Sequence, residues 1–190
     1  MVDFSTDIKA CVAVLQSGGS ILYPTDTIWG IGCDASNAAA VDRVFDIKNR
    51  PREKSMIILL PDARDIFQYV AAPPPDIISM LESFDRPTTV IFNTPLHLAE
   101  NALAADGSVA IRIPEDPFCK ALLKRFGKPI ISTSANRSGD PSAATFPEIH
   151  KEIVEACDYV VRHRQDDRSI KAASRILAIT DSGTFRVIRA

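Results

Sequence analysis

The chain has 190 residues, 46% hydrophobic and 24% charged, which is ordinary for a globular protein able to bury a sizeable core. Its formal net charge of −2 argues against a protein built as a whole to attract nucleic acid, although it permits a local basic face. The acidic N-terminus lacks the pattern of a signal peptide, and no apolar run reaches the ~20 residues of a membrane-spanning helix. We therefore expect a cytoplasmic protein with no membrane association.

Hydrophobic periodicity predicts alternating helices and strands along the chain. The predicted helices cover 6–17, the segment from Ser36 or Asn37 to Arg50, 62–83 with a break at three consecutive prolines, 117–126 and 145–156. The predicted strands cover 20–23, 56–60, 88–92, 108–113, 129–133, 159–163, 174–179 and 185–189. The first helix has Ser5 or Thr6 as its cap and Gly18 as its end.

This order of elements predicts one α/β (α+β) domain over 1–190, built on a twisted mixed sheet flanked by helices. The last three strands follow one another without a helix, so they are expected to pair antiparallel, with a turn at 181–183.

The four cysteines and three histidines show no metal-binding spacing. We expect the cysteines to be reduced and mostly buried, and we expect no protein-bound metal site. The charged stretch 162–168, RHRQDDR, is interpreted as a solvated loop, and the histidines as surface residues or residues with satisfied hydrogen bonds.

Three irregular stretches follow predicted strands or helices, where ligands of open α/β sheets bind. The first, Pro24 to Thr27 (PTDT), offers two hydroxyls and a carboxylate, but these residues are also good turn formers. After it, Trp29 and Ile31 are expected to pack, and Gly30 and Gly32 to allow close backbone approach.

The second stretch is KNRPREK, residues 48–54, with four bases and one acid. It could clamp phosphates, or it could be a solvated helix end whose cations complement the macrodipole.

The third stretch is STSANRSGDPSAAT, residues 132–145, which is rich in hydroxyls. It is either an oxyanion-binding loop or a long surface loop. A further residue of interest is Arg112, inside the apolar strand VAIRIP, because a buried cation needs a structural or ligand carboxylate as its partner.

In this order, PTDT followed by an aromatic residue and glycines, K-x-R-P, V-A-I-R-I-P and S-T-S-A-N-x-S-G resemble the YrdC-like family, short single-domain type. The resemblance covers nearly the whole chain. It implies a mixed sheet with a large concave groove and the synthesis of threonylcarbamoyl-AMP and pyrophosphate from L-threonine, bicarbonate and ATP. A downstream enzyme of that family's pathway transfers the threonylcarbamoyl group to tRNA.

The resemblance also implies roles for single residues, with Lys48 and Arg50 as the catalytic pair. The implied ATP-binding residues are Lys48, Arg50, Lys54, Ser108, Ser134, Asn136, Ser142 and Arg189. The implied threonine-binding residues are Thr27, Arg112, Ser132 and Ser174. Mg²⁺ is expected to arrive with ATP, and Asp26 is a candidate general base.

The chain departs from the family pattern in four places. They are Ser55-Met56 after the K-x-R-P turn, Leu59 in place of a histidine, the segment Arg175 to Ala178 after Ser174, and Ala190 in place of a final glycine. Two other functions remain open. One is the carbamoyl-adenylate chemistry of hydrogenase-maturation carbamoyltransferases, which are much longer chains. The other is a non-catalytic paralogue that binds RNA in the groove.

Overall fold

The computed structural model describes residues 3–52, 56–180 and 183–190. The α-helices are α1 (Ser5–Gln16), α2 (Ala38–Lys48), α3 (Ile66–Tyr69), α4 (Ile77–Glu82), α5 (Pro117–Phe126) and α6 (Lys151–Ala156). The strands are β1 (Ile21–Tyr23), β2 (Gly30–Gly32), β3 (Ile57–Leu59), β4 (Thr88–Phe92), β5 (Val109–Arg112), β6 (Ile130–Ser134), β7 (Tyr159–Val160), β8 (Arg175–Ile179) and β9 (Phe185–Arg189). Short 3₁₀ turns lie at Ala63–Asp65, Glu100–Ala102 and Phe146–Glu148.

The described strands form one sheet in the order β7-β1-β2-β6-β3-β5-β4-β8-β9. Three pairs, β1–β7, β3–β5 and β4–β8, run parallel, and the other neighbours run antiparallel. This confirms the predicted mixed α/β sheet. None of the helices in the described part of the chain is both long and apolar enough to cross a membrane.

The strand β2 was not predicted, because two of its three residues, Gly30 and Gly32, are glycines, which are depleted in strands. A β-carbon at Gly32 would lie 2.7 Å from the Ile131 carbonyl oxygen and 2.7 Å from the Tyr23 ring. The close approach predicted for this glycine is therefore confirmed, and it lets β2 fit between β1 and β6.

Three other predicted elements were wrong in extent or pairing. The helical segment expected over 62–83 is a 3₁₀ turn followed by α3 and α4. The predicted break at Pro73, Pro74 and Pro75 is confirmed, but the helices on both sides of it are shorter than expected. The helix expected over 145–156 contains only α6, since Pro147 lies in a 3₁₀ turn before it. The strand expected over 159–163 is the short β7, which pairs parallel with β1 at the opposite edge from β8 and β9.

The helix ends show which capping predictions were right. Asn37 caps α2, since its side chain accepts a hydrogen bond from the Ala40 amide at 3.2 Å. Neither Ser5 nor Thr6 caps α1, because Asp3 accepts from the Ser5 amide at 2.9 Å instead. The predicted turn at 181–183 falls largely on residues outside the described part.

The core fills both sides of the central strands and includes all four cysteines, which are buried and unpaired, as predicted. Burial raises the pKa of the Cys11 and Cys157 thiols to about 12.

Candidate active site

A cavity of about 300 Å³ lies on one face of the sheet and is bordered by residues from β2 across to β9. Its polar lining carries three guanidiniums and six hydroxyls, and the described lining residues include no carboxylate. These polar residues are Thr27, Arg50, Arg112, Ser132, Thr133, Ser134, Ser142, Ser174 and Arg189. Such a lining suits an anionic ligand.

The hydroxyls of the PTDT stretch hold its backbone in a fixed turn at the cavity. Thr25 Oγ1 lies 2.9 Å from Thr27 Oγ1, donates to the Ile28 carbonyl oxygen at 2.8 Å and accepts from the Thr27 amide at 3.0 Å. The stretch is therefore both a turn and part of the cavity wall, because Thr27 lines the cavity while Thr25 supports it.

Arg112 is the last residue of β5 and is only 3% exposed. Its Nη1 donates to Asp26 Oδ1 at 2.7 Å and to Thr27 Oγ1 at 3.0 Å. The partner that this buried cation requires is thus a structural carboxylate, Asp26. Arg112 Nε is buried without a hydrogen-bond partner in the described structure, so one donor is still available.

Asp26 is poorly placed to act as the general base for which it was considered. Its Oδ1 binds Arg112, and its Oδ2 accepts from the Glu115 amide at 3.2 Å. It borders a second, separate cavity rather than the arginine-lined one. Because both carboxylate oxygens are engaged, Asp26 is better suited to orient Arg112.

The two members of the K-x-R motif lie in different surroundings. Arg50 lines the cavity. Lys48 is buried, does not line it, and donates to the carbonyl oxygens of Ser134 and Asn136. This placement differs from the direct phosphate contact implied for Lys48, and Lys54, the third predicted base, lies outside the described residues. Burial lowers the pKa of Lys48 to about 7, with a further contribution from the charge of Arg50.

The hydroxyl-rich loop leaves β6 at the cavity. Ser132, Ser134 and Ser142 border the cavity, whereas Asn136 is 7% exposed and lies behind it. The Asn136 amide group donates to the Asp140 carbonyl oxygen at 2.6 Å, which closes the loop on itself. The stretch is therefore organised by internal bonds and is not a loose surface loop.

Three further predicted residues lie at the ends of strands or just before them. Ser108 does not line the cavity, but it precedes β5 on the same face as Ala110 and Arg112, which do. Ser174 and Arg189 both line it. The Arg189 guanidinium donates to the Ser174 carbonyl oxygen at 2.7 Å, so β9 holds the start of β8 in place.

Sequence reasoning missed two groups of residues at this site. The apolar lining, which includes Ile57, Ile91 and Ile176, has the same composition as core strands and gave no separate signal. Arg164, in the stretch interpreted as solvated, instead binds Asp116 at 2.8 Å and the Thr25 carbonyl oxygen at 3.2 Å. That interpretation was wrong for Arg164, which supports the PTDT backbone from behind.

The aromatic residue of the first stretch also belongs to the site. Trp29, the single tryptophan of the chain, lines the cavity and packs against Phe146 with ring centroids 4.8 Å apart. The predicted packing role is confirmed, and Trp29 also borders the cavity.

Known proteins resemble the chain over most of its length. A family model for Sua5, YciO and YrdC proteins, described as "Telomere recombination", matches residues 13–190. A protein of Xanthomonas euvesicatoria named threonylcarbamoyl-AMP synthase is 32% identical over 186 residues, which cover 96% of this chain and 97% of that protein. A protein of the same name from Pseudoalteromonas translucida is 32% identical over 164 residues, which cover 85% of this chain and 87% of that protein.

Solved structures show the same fold. YciO of E. coli superposes with a TM-score of 0.80 at 21% identity, covering 100% of this chain and 90% of that one. Sua5 of P. abyssi, solved in complex with L-threonine, gives a TM-score of 0.79 at 21% identity, covering 95% of this chain. The chain spans about half of that Sua5 protein, 53% of its length. A full-length HypF gives a TM-score of 0.81 at 20% identity, and the chain covers 28% of it. The chain belongs to the Sua5/YciO/YrdC family.

Proposed function

We propose that this member of the Sua5/YciO/YrdC family is an L-threonylcarbamoyladenylate synthase, a nucleotidyltransferase of the cytoplasm. It would form threonylcarbamoyl-AMP and pyrophosphate from L-threonine, bicarbonate and ATP. Its product would then be consumed by an enzyme that modifies tRNA. Two near-full-length relatives that carry the name threonylcarbamoyl-AMP synthase support this proposal.

The observation that carries the proposal is the charge of the cavity. Arg50, Arg112 and Arg189 converge on one space whose described lining has no carboxylate. ATP and the threonine carboxylate are both anions, and guanidiniums bind phosphate and carboxylate in bidentate geometry. A cavity for a neutral or cationic ligand would not be lined in this way.

The two ends of the cavity suit the two substrates. At one end, Arg112 with Thr27 and Ser132 would hold the carboxylate and hydroxyl of threonine. Towards the other, Arg50 with Ser134 and Ser142 would hold the nucleotide phosphates. Eight of the twelve site residues implied by the family resemblance line this cavity. They are Thr27, Arg50, Arg112, Ser132, Ser134, Ser142, Ser174 and Arg189.

The chemistry asks mainly for positioning and charge stabilisation. The threonine amine condenses with bicarbonate, with loss of one water, to give a carbamate. A carbamate oxygen then attacks the α-phosphorus of ATP as pyrophosphate leaves. Arg50 would offset the negative charge that develops on the phosphates, and the cavity walls would align the reacting groups. Mg²⁺ would enter on the ATP phosphates, which it prefers together with water as ligands.

Pyrophosphate release tests the proposal directly. Release should require ATP, L-threonine and bicarbonate together, and omission of any one should abolish it. Binding can be followed separately through the fluorescence of Trp29, which lines the cavity. If the complete mixture releases no pyrophosphate, while RNA binds with a steep dependence on salt, the non-catalytic alternative would be correct.

A further inference from the structure

Lys48 lies at the end of α2 and is almost completely enclosed, with 1% of its surface exposed. Its Nζ donates to the Ser134 carbonyl oxygen, to the Asn136 carbonyl oxygen at 2.6 Å and to Asn136 Oδ1 at 3.3 Å. An ammonium group has three N–H donors, and here three protein oxygens accept from it. A phosphate could bind this nitrogen only by displacing one of them.

The same helix end holds the loop by its backbone as well. The Ser138 amide donates to the Lys48 carbonyl oxygen at 2.9 Å. From Asn136 the bonding continues to the Asp140 carbonyl oxygen at 2.6 Å, two residues before the cavity residue Ser142. A continuous set of hydrogen bonds therefore links Lys48 to the loop over 134–140.

The chain turns sharply between the two bases of the motif. Asn49 has a left-handed backbone conformation with φ of 46°, and it ends α2. After this turn Arg50 lines the cavity, whereas Lys48 lies inside the protein. No carboxylate of the described chain forms an ion pair with Lys48, so backbone and amide oxygens provide all of its bonds.

We propose that Lys48 is a positioning residue that anchors the 134–142 loop, so that Ser134 and Ser142 are held at the nucleotide end of the cavity. Arg50 alone of this pair would then contact phosphate. The assignment of the loop to nucleotide binding rests on the proposed function, but the anchoring itself does not.

Hydrogen exchange of the ligand-free protein separates anchoring from phosphate binding. The probes are the amides of Asn136, Ser138 and Asp140, each of which donates within the loop or to Lys48. In Lys48→Met the carbonyl oxygens of Ser134 and Asn136 lose the hydrogen bond from Lys48 Nζ, so exchange at these amides should rise roughly tenfold to a hundredfold. The amide of Ile131, bonded to Cys33 in the sheet at 2.9 Å, should not change.

Lys128→Met is the matched control, because Lys128 is largely exposed and binds Asp34 and Ser36 rather than the loop. Its loop amides should exchange as in the wild type. If Lys48→Met fails to fold, Lys48→Gln can be used instead, because its shorter side chain still carries an N–H₂ donor. The exchange rates of its loop amides should then lie between those of the wild type and those expected for Lys48→Met. If the loop amides of a folded Lys48→Met variant exchanged at the same rates as in the wild type, the proposal would be overturned.

Kinetics add a second readout that a general loss of structure would not produce. Lys48→Met should raise the KM for ATP about tenfold and leave the KM for threonine within about twofold. Loss of ATP binding with an unchanged loop would instead identify Lys48 as a direct ligand. If the wild type released no pyrophosphate, the proposed function would fail, yet the exchange experiment would still decide the anchoring.

Discussion

Arg112 Nη1 lies 2.7 Å from Asp26 Oδ1, and this ion pair joins the last residue of β5 to the PTDT turn. Both side chains are largely buried, with 3% and 11% of their surfaces exposed. The pair fixes one edge of the guanidinium while Nε remains unbonded among the described atoms. The arginine is therefore held ready for a second carboxylate rather than neutralised on all sides.

Replacing Asp26 by Asn should loosen Arg112 without removing it. The substitution keeps an acceptor but loses the charge that makes this bond strong. We expect the KM for threonine to rise about tenfold, with the KM for ATP unchanged within about twofold. Initial rates of pyrophosphate release measure both values.

Arg112→Ala is the reference for that experiment and should have the larger effect on threonine. A drop in kcat with an unchanged threonine KM in Asp26→Asn would argue instead that Asp26 acts as a base. An effect of Arg112→Ala confined to ATP would show that its ligand is a phosphate.

Arg50→Ala should lower turnover by at least about a hundredfold, because it removes a charge-assisted contact to the reacting phosphates. The measurement is single-substrate saturation for ATP at fixed threonine and bicarbonate. The control is Arg43→Ala, since Arg43 is about half exposed and pairs with Asp158 at the surface, away from the cavity. Near-normal pyrophosphate release from Arg50→Ala would contradict the phosphate role.

The sequence predicted the sheet and the motifs that meet at the cavity, but not how each residue is used there. Motifs placed just after strands do converge, because strand ends position them. The diverging paths of Lys48 and Arg50 depend on a left-handed Asn49, which the K-x-R spacing does not reveal. The role of Arg164 depends on a long-range contact with Asp116, and local composition cannot indicate such a pair.

The four cysteines should be unreactive in the native protein. Burial raises the pKa of every one of these thiols, so the reactive thiolate is scarce near neutral pH. Treatment with a disulfide reagent at pH 8 should modify none of the 4 cysteines, and all 4 should react in denaturant. Rapid modification under native conditions would mean that a part of the core opens readily.

The two glycines of β2 should respond differently to alanine. In Gly32→Ala the new methyl group would lie 2.7 Å from the Ile131 carbonyl oxygen, which belongs to the neighbouring strand and cannot easily move. We expect a loss of about 1–3 kcal/mol in the free energy of unfolding, measured by urea denaturation.

Gly30→Ala places its methyl group 3.1 Å from Ser132 Oγ, at the wall of the cavity. This variant should unfold closer to the wild type but bind threonine more weakly, as followed through Trp29 fluorescence. Equal stability of Gly32→Ala and the wild type would show that β2 shifts to accept a side chain.

The burial of Lys48 should also appear in the pH dependence of stability. Its pKa is about 7 in the folded chain, against 10.5 for the unperturbed side chain. Between these values the unfolded chain binds a proton that the folded chain lacks, so this group makes stability rise with pH. The free energy of unfolding rises by at most about 1.4 kcal/mol per pH unit from this group. This stabilising contribution is lost as the pH falls from 10.5 to about 7.

Lys48→Met has no such group, so the difference in unfolding free energy between wild type and variant should grow in favour of the wild type from pH 7 to 8.5. Below about pH 6 the difference should be constant, because both states of the wild type then hold the proton. Urea denaturation across this range measures it, with Lys128→Met as the control expected to parallel the wild type. The cysteines are shared by all three proteins, so their titration cancels in the comparison. Parallel profiles for wild type and Lys48→Met would show that Lys48 keeps an ordinary pKa despite its burial.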